Sequence, residues 1–123
     1  MNQLQSQDRL ERRRVQNRAS VAKYRLKVLS VVAKKGPLRC AYCGCDDAEL
    51  LEINHRNGGG RKERDVPEAP LSGGKFYTAI LRGDRSVDDL ELACRVCNAR
   101  DYLERKFPEI KGSFIVEWFP YRV

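Results

Sequence analysis

Two Cys-x-x-Cys pairs constrain this chain more than any other feature: Cys40 and Cys43 in "CAYCG", and Cys94 and Cys97 in "CRVC". A two-residue gap lets both sulfurs of a pair reach one tetrahedral ion, and two such pairs complete the ligand set of a structural zinc site. The N-terminus is polar and arginine-rich without an apolar segment, so a reducing compartment, cytoplasmic or nuclear, is expected. There, paired cysteines read as metal ligands rather than as two disulfides. Residues 44–93, 50 in all, separate the pairs, where simple zinc ribbons have roughly 15 to 20. A working segment is therefore expected between them. Cys45 is left over, as a buried or exposed free thiol or an alternative ligand.

Size and charge narrow the partners. A chain of 123 residues makes one domain with a modest core, and 33% charged against 8% aromatic residues leaves little apolar mass, so a staple is expected. No apolar run reaches the roughly 18 residues of a membrane span. Residues 1–39 hold 11 Lys/Arg against two acids, +9, while the other 84 hold 13 against 15, −2. A basic arm on a near-neutral domain points to a polyanion, nucleic acid first, with a solubilising tail or a membrane-surface helix as alternatives.

Periodicity predicts a helix from about Asp8 to Lys35, with Val15, Ala19, Ala22, Leu26, Leu29 and Ala33 on one face and Gly36-Pro37 as its stop. After the first knuckle, "ELLEIN" reads as a short strand. A long Gly/Pro-rich charged loop follows, then a short helix in "KFYTAILRG", a second strand in "DDLELA" and a helix in "NARDYLERKF". The closing "GSFIVEWFPYRV" has strand character, with Phe114, Val116 and Trp118 as packing residues. The expected fold class is α+β: a basic amphipathic helical arm over residues 1–37, then a treble-clef-like domain over 38–123 stapled by four cysteines.

The sole histidine, His55, ends the first strand inside "LEINHRNGGG", and Asn98 directly follows Cys97 in "LELACRVCN". The metal ties both segments together, so both side chains are expected to border one cleft. With "CAYCG", these pieces resemble the HNH endonucleases, a ββα-metal fold. The nearest likeness is to zinc-stapled phage HNH proteins and Holliday-junction resolving endonucleases, over roughly residues 38–106. The resemblance implies that His55 is the general base taking a proton from the attacking water, imidazole titrating near neutrality. It implies that Asn54 and Asn98 hold a catalytic Mg²⁺ or Mn²⁺, distinct from the structural Zn²⁺, and that hydrolysis of DNA leaves a 5′-phosphate and a 3′-hydroxyl.

Two positions depart from that family. Asn54 stands where it usually has aspartate, and Asp89 where it has the asparagine that orients the histidine loop. Hard cations prefer carboxylates, so Asp101, on the same helix face as Asn98, is a candidate auxiliary ligand, and Glu52 shares the strand face of Asn54. Arg56, Arg61, Lys62 and Arg64 around the glycine run, and Arg14, Arg18 and Arg25 in the arm, are candidate phosphate contacts, with Arg95 a further one. "RRRVQNRASVAKYR" also resembles the basic region of leucine-zipper factors, although no zipper follows. The arm is expected to pack its apolar face on the domain and offer arginines to the DNA backbone. The expectation is thus a DNA endonuclease, with an inactive DNA-binding module or a zinc-stapled interaction or RNA-binding protein as alternatives, monomer or homodimer.

Overall fold

The computed structural model of the chain describes residues 3–58 and 74–120. In order, these form helix α1 (Gln3–Val32), a 3-10 turn (Ala48–Leu50), strand β1 (Leu51–His55), helix α2 (Gly74–Arg82), strand β2 (Leu90–Cys94), helix α3 (Arg95–Lys106) and a final 3-10 turn (Pro108–Ile110). β1 and β2 pair antiparallel, from Leu51 opposite Cys94 to His55 opposite Leu90. The result is a small mixed fold of helices around a two-stranded sheet, carrying a four-cysteine cluster.

The sheet has two unlike faces because strand side chains alternate. Leu51, Leu90 and Leu92 turn to one face and join Val28, Leu29 and Val32 of α1 and Ile80 of α2 in the core. Glu52, Asn54, Glu91 and Ala93 share the other, which α3 covers. A two-stranded ribbon is marginal alone, so both covers are needed.

α1 begins earlier and packs less than its periodicity suggests. Its last turns are buried, while residues 3–23 are all exposed. Val15 and Leu26, expected on the packed face, are 50% and 43% exposed. The stripe is real but the domain is too small to meet it. The helix also stops before Gly36: the Lys35 N–H bonds back to the Ser30 carbonyl and the Lys34 N–H to Val31, with Lys34 and Lys35 in the left-handed region. That is a Schellman closure carried by lysine where glycine is usual.

α3 also starts earlier than expected, at Arg95 inside the second knuckle, with Cys94 as its cap. The carboxy-terminal segment is not a strand: residues 114–120 have no regular structure. Val116 and Trp118 still pack against the core, but Phe114 does not. Among the described residues no strand pairs with this segment, and Val116 and Trp118 tie it to the core.

No helix among the described residues is long and apolar enough to cross a membrane. In urea unfolding, Leu29→Ala is expected to lower stability by about 2–5 kcal/mol through a core cavity. Val15→Ala is expected to shift it by less than about 0.5 kcal/mol. Equal losses would put the amino-terminal turns of α1 against the domain.

Candidate metal centre and the polar face beside it

The cysteine cluster is built from two backbone turns. At the first, the Cys40 N–H bonds to the Cys45 carbonyl at 2.8 Å, the Gly44 N–H to Cys40 at 3.1 Å, and Gly44 takes φ +80°, which a side chain resists. The Ala41 N–H then bonds to the Leu92 carbonyl at 2.8 Å, fastening this knuckle to β2. At the second, β2 runs into α3 and the Cys94 sulfur caps the helix, accepting from the Cys97 N–H at 3.4 Å. The ligand atoms of Cys40, Cys43, Cys94 and Cys97 lie within 4.8 Å of one another. They could hold one metal ion, and four thiolates are consistent with structural zinc. Cys45 is a buried core thiol outside this group.

Electrostatics support a cation here. Burial pushes the Cys97 thiol up, reinforced by the sulfurs of Cys94, Cys40 and Cys43. Burial raises Cys43 as well. Burial also acts on Cys40, but amide donors including Cys43, Cys94 and Tyr42 outweigh it and bring that thiol down to about 7. With Cys43 and Cys97 resisting ionisation, the cluster does not carry four charges unaided. A divalent ion compensates them and displaces the protons.

Beside the cysteines, β1 and α3 are joined by two polar rungs. Asn98 donates from Nδ2 to Glu52 Oε2 at 2.7 Å. Asn54, only 7% exposed, donates from Nδ2 to Asp101 Oδ2 at 3.2 Å and to Glu91 Oε1 at 3.0 Å. Glu91 stands directly opposite Asn54 in the register. Each carboxylate also meets an arginine: Glu52 with Arg95 at 3.4 Å, Glu91 with Arg56 at 3.7 Å, Asp101 with Arg105 at 3.1 Å. The Tyr42 hydroxyl donates to Glu91, and burial together with that carboxylate pushes its pKa up to about 12. Among the described residues only the cysteines are close enough to form a metal-ligand group.

His55 leaves this face. Alternation along β1 turns it away from Asn54, and its ring stacks on Phe76 of α2, centroids 5.8 Å apart and planes 26° from parallel. The structure therefore brings Asn54, Asn98 and Asp101 onto one surface but not His55 with Asn98. The turn after His55 is nonetheless held: the Arg56 N–H bonds to the Asp89 carbonyl at 2.9 Å. The Asp89 carboxylate is engaged elsewhere, by Arg85 at 2.6 and 2.9 Å, and that ion pair keeps it below the usual carboxylate range.

The candidate phosphate contacts fare differently. Arg14 and Arg18 are exposed on α1 and lie 4.0 and 3.8 Å from Glu11. Arg25 is committed to the fold, donating to the carbonyls of Ala48 and Leu51 at the start of β1. Arg56 is half exposed at the rim. Arg61, Lys62 and Arg64, with Gly59 and Gly60, lie outside the described residues. Gly58 has φ +72°, and a Cβ there would meet Arg105 Nη1 at 3.0 Å, so glycine lets that arginine reach the carbonyl of Arg56. Three residues of the site escaped sequence reasoning: Glu91, Tyr42 and Arg105. Only the register reveals Glu91, and only the fold brings Tyr42 and Arg105 to it.

Elemental analysis is expected to find about one tightly held divalent ion per chain, as four thiolates supply one tetrahedral site. Its affinity should fall as pH drops through about 7, where Cys40 begins to protonate and protons compete for the sulfurs. Cys97→Ser or a strong chelator should unfold the domain, read by loss of cooperative thermal unfolding. A chelated chain that melts like the parent contradicts the staple. Compared with family models, with curated proteins and with solved structures, the chain matches none of them.

Proposed function

We propose that the chain is a metal-dependent DNA endonuclease of the HNH kind. In this reading Zn²⁺ occupies the four cysteines and staples a treble-clef-like ββα unit. His55 is the general base, and Mg²⁺ or Mn²⁺ is held by the amide oxygens of Asn54 and Asn98. The observation that carries the reading is the polar face: two asparagines, one beside the sole histidine and one beside the last cysteine, share it with three carboxylates. What supports the reading is donor type: carboxylate and amide oxygens are the ligands a hard cation takes, and holding one requires both amides to turn their carbonyls inward and the carboxylates to draw together. Glu91 and Asp101 supply the negative charge that Asn54 lacks.

When bound, such an ion stabilises charge on the scissile phosphate and the departing oxygen. The protein's own part is to free the carboxylates and to bring the imidazole round. Arg56, Arg95 and Arg105, each now on a carboxylate, exchange that partner for a phosphate oxygen as DNA arrives, since guanidinium binds either by charge-assisted hydrogen bonds. That exchange couples cation and DNA binding. For His55 to take the proton of the attacking water, the end of β1 must unpair from Leu90 and the ring must leave Phe76.

A second reading has its own support. Both amide groups already donate to carboxylates and the histidine packs on Phe76, the arrangement of a DNA-binding module that does not cleave. A supercoiled plasmid with Mg²⁺ or Mn²⁺ separates the two. Nicking by the parent, with a loss of at least about 100-fold in His55→Ala, is expected of a general base. Salt-sensitive binding with no nicking favours the module, and no DNA binding at all points to a protein or RNA partner. Asn54→Asp is expected to raise Mg²⁺-dependent activity, because a carboxylate binds the ion better than an amide. Unchanged activity removes Asn54 from the ion.

A further inference from the structure

Residues 3–23 of α1 are consecutive, helical and all exposed. At about 1.5 Å per residue they extend about 30 Å beyond the domain. A helix of that length without a tertiary partner is marginal in water, and ion pairs of the kind it carries, Asp8 with Arg12 at 2.7 Å and Glu11 near Arg14 and Arg18, add little at exposed sites. The segment has Arg9, Arg12, Arg13, Arg14, Arg18 and Lys23 against Asp8 and Glu11, six charges to two, leaving +4.

At about 100° per residue, the cations fall on two flanks. Arg9, Arg12, Arg13 and Lys23 form one, Arg14 and Arg18 the other. The acids Asp8 and Glu11 lie between the two flanks, on the stripe of Val15, Ala19 and Ala22, within reach of Arg12, Arg14 and Arg18. That stripe is a poor fit to a membrane or to an apolar partner helix, since burying it buries both carboxylates as well.

Two cationic flanks suit a channel with anionic walls. The major groove of B-DNA is about 12 Å wide, matching a helix about 10–12 Å across. The base of the arm is fixed: Arg25 donates to the carbonyls of Ala48 and Leu51, and the hydroxyls of Tyr24 and Thr78 bond at 2.8 Å. The arm therefore leaves the body in a set direction relative to β1.

We infer that the amino-terminal 20 or so residues of α1 are a docking arm that lies in the major groove of duplex DNA, gripping the phosphates of both walls independently of cleavage. The inference takes its partner, duplex DNA, from the proposal above and nothing from its chemistry.

The test is binding of a short duplex of arbitrary sequence, followed by fluorescence anisotropy across a salt series without added divalent ions. The full-length chain is compared with a variant carrying R9Q, R12Q, R13Q and R18Q. Glutamine keeps helix propensity, and thermal unfolding of the domain verifies that the variant folds. The parent is expected to show the steeper salt dependence, by about 3 to 4 in log–log slope for four lost phosphate contacts. The variant should bind at least about 30-fold more weakly at low salt. The parent should also bind B-form DNA at least about 10-fold more tightly than double-stranded RNA, whose deep, narrow major groove excludes a helix. A duplex whose major groove is filled by glucosylated hydroxymethylcytosine should bind as weakly as the RNA.

Equal binding and equal slopes for parent and variant overturn the arm. Equal binding to glucosylated and plain duplex overturns its placement in the groove. A stable dimer in DNA-free sedimentation that Val15→Lys dissolves gives the helix to a second copy instead. No step of this measurement involves cleavage. A chain that never nicks a plasmid can pass it, and an active nuclease can fail it.

Discussion

The rest of the structure depends on one constraint: two sulfurs at the start of the domain must meet two sulfurs 51 residues later, from Cys43 to Cys94. The first knuckle is hydrogen-bonded to β2 through Ala41 and Leu92, and the second is the junction of β2 with α3. Closing the cluster therefore fixes the ribbon and the helix that covers its polar face together. A core of a dozen buried apolar side chains among the described residues, three of them the clustered Cys40, Cys94 and Cys97, is thin for such a chain. Because burial and neighbouring sulfurs resist ionisation at Cys43 and Cys97, the cluster holds together best around a cation.

The second consequence is electrostatic. Fixing α3 across the sheet puts Asn98 on Glu52 and Asp101 on Asn54, and the antiparallel pairing adds Glu91. Three carboxylates beside two amides would repel one another if left alone. Arg56 from the turn after β1, and Arg95 and Arg105 from the two ends of α3, neutralise them. In the function we propose, a phosphodiester takes over these arginines and releases the carboxylates as hard oxygen ligands for a divalent ion. His55 against Phe76 and the amide–carboxylate rungs thus occupy opposite faces of the ribbon.

Much of this was legible in the sequence. The knuckles, both strands, the short helix before Gly83 and the helix after Cys97 follow from spacing and period, since local geometry is set by nearby residues. Other features were not. Glu91 is invisible until β1 and β2 are registered. Arg25, which reads as a DNA contact by charge, is consumed by two carbonyls of the fold. The strand expected near Phe114 fails because strand propensity needs a neighbouring edge, and propensity alone does not provide one.

What the sequence determined by itself is the metal-ligand spacing, the segregation of +9 into the first 39 residues and the helical period of α1. These are one-dimensional properties, and chemistry reads them directly. What only the tertiary structure decided is which side each residue serves. The heptad-like stripe of α1 continues past the domain that could bury it, and His55 and Asn54, adjacent in sequence, point to opposite faces. Strand alternation and the finite size of the core decide both, and neither can be read until the sheet has partners.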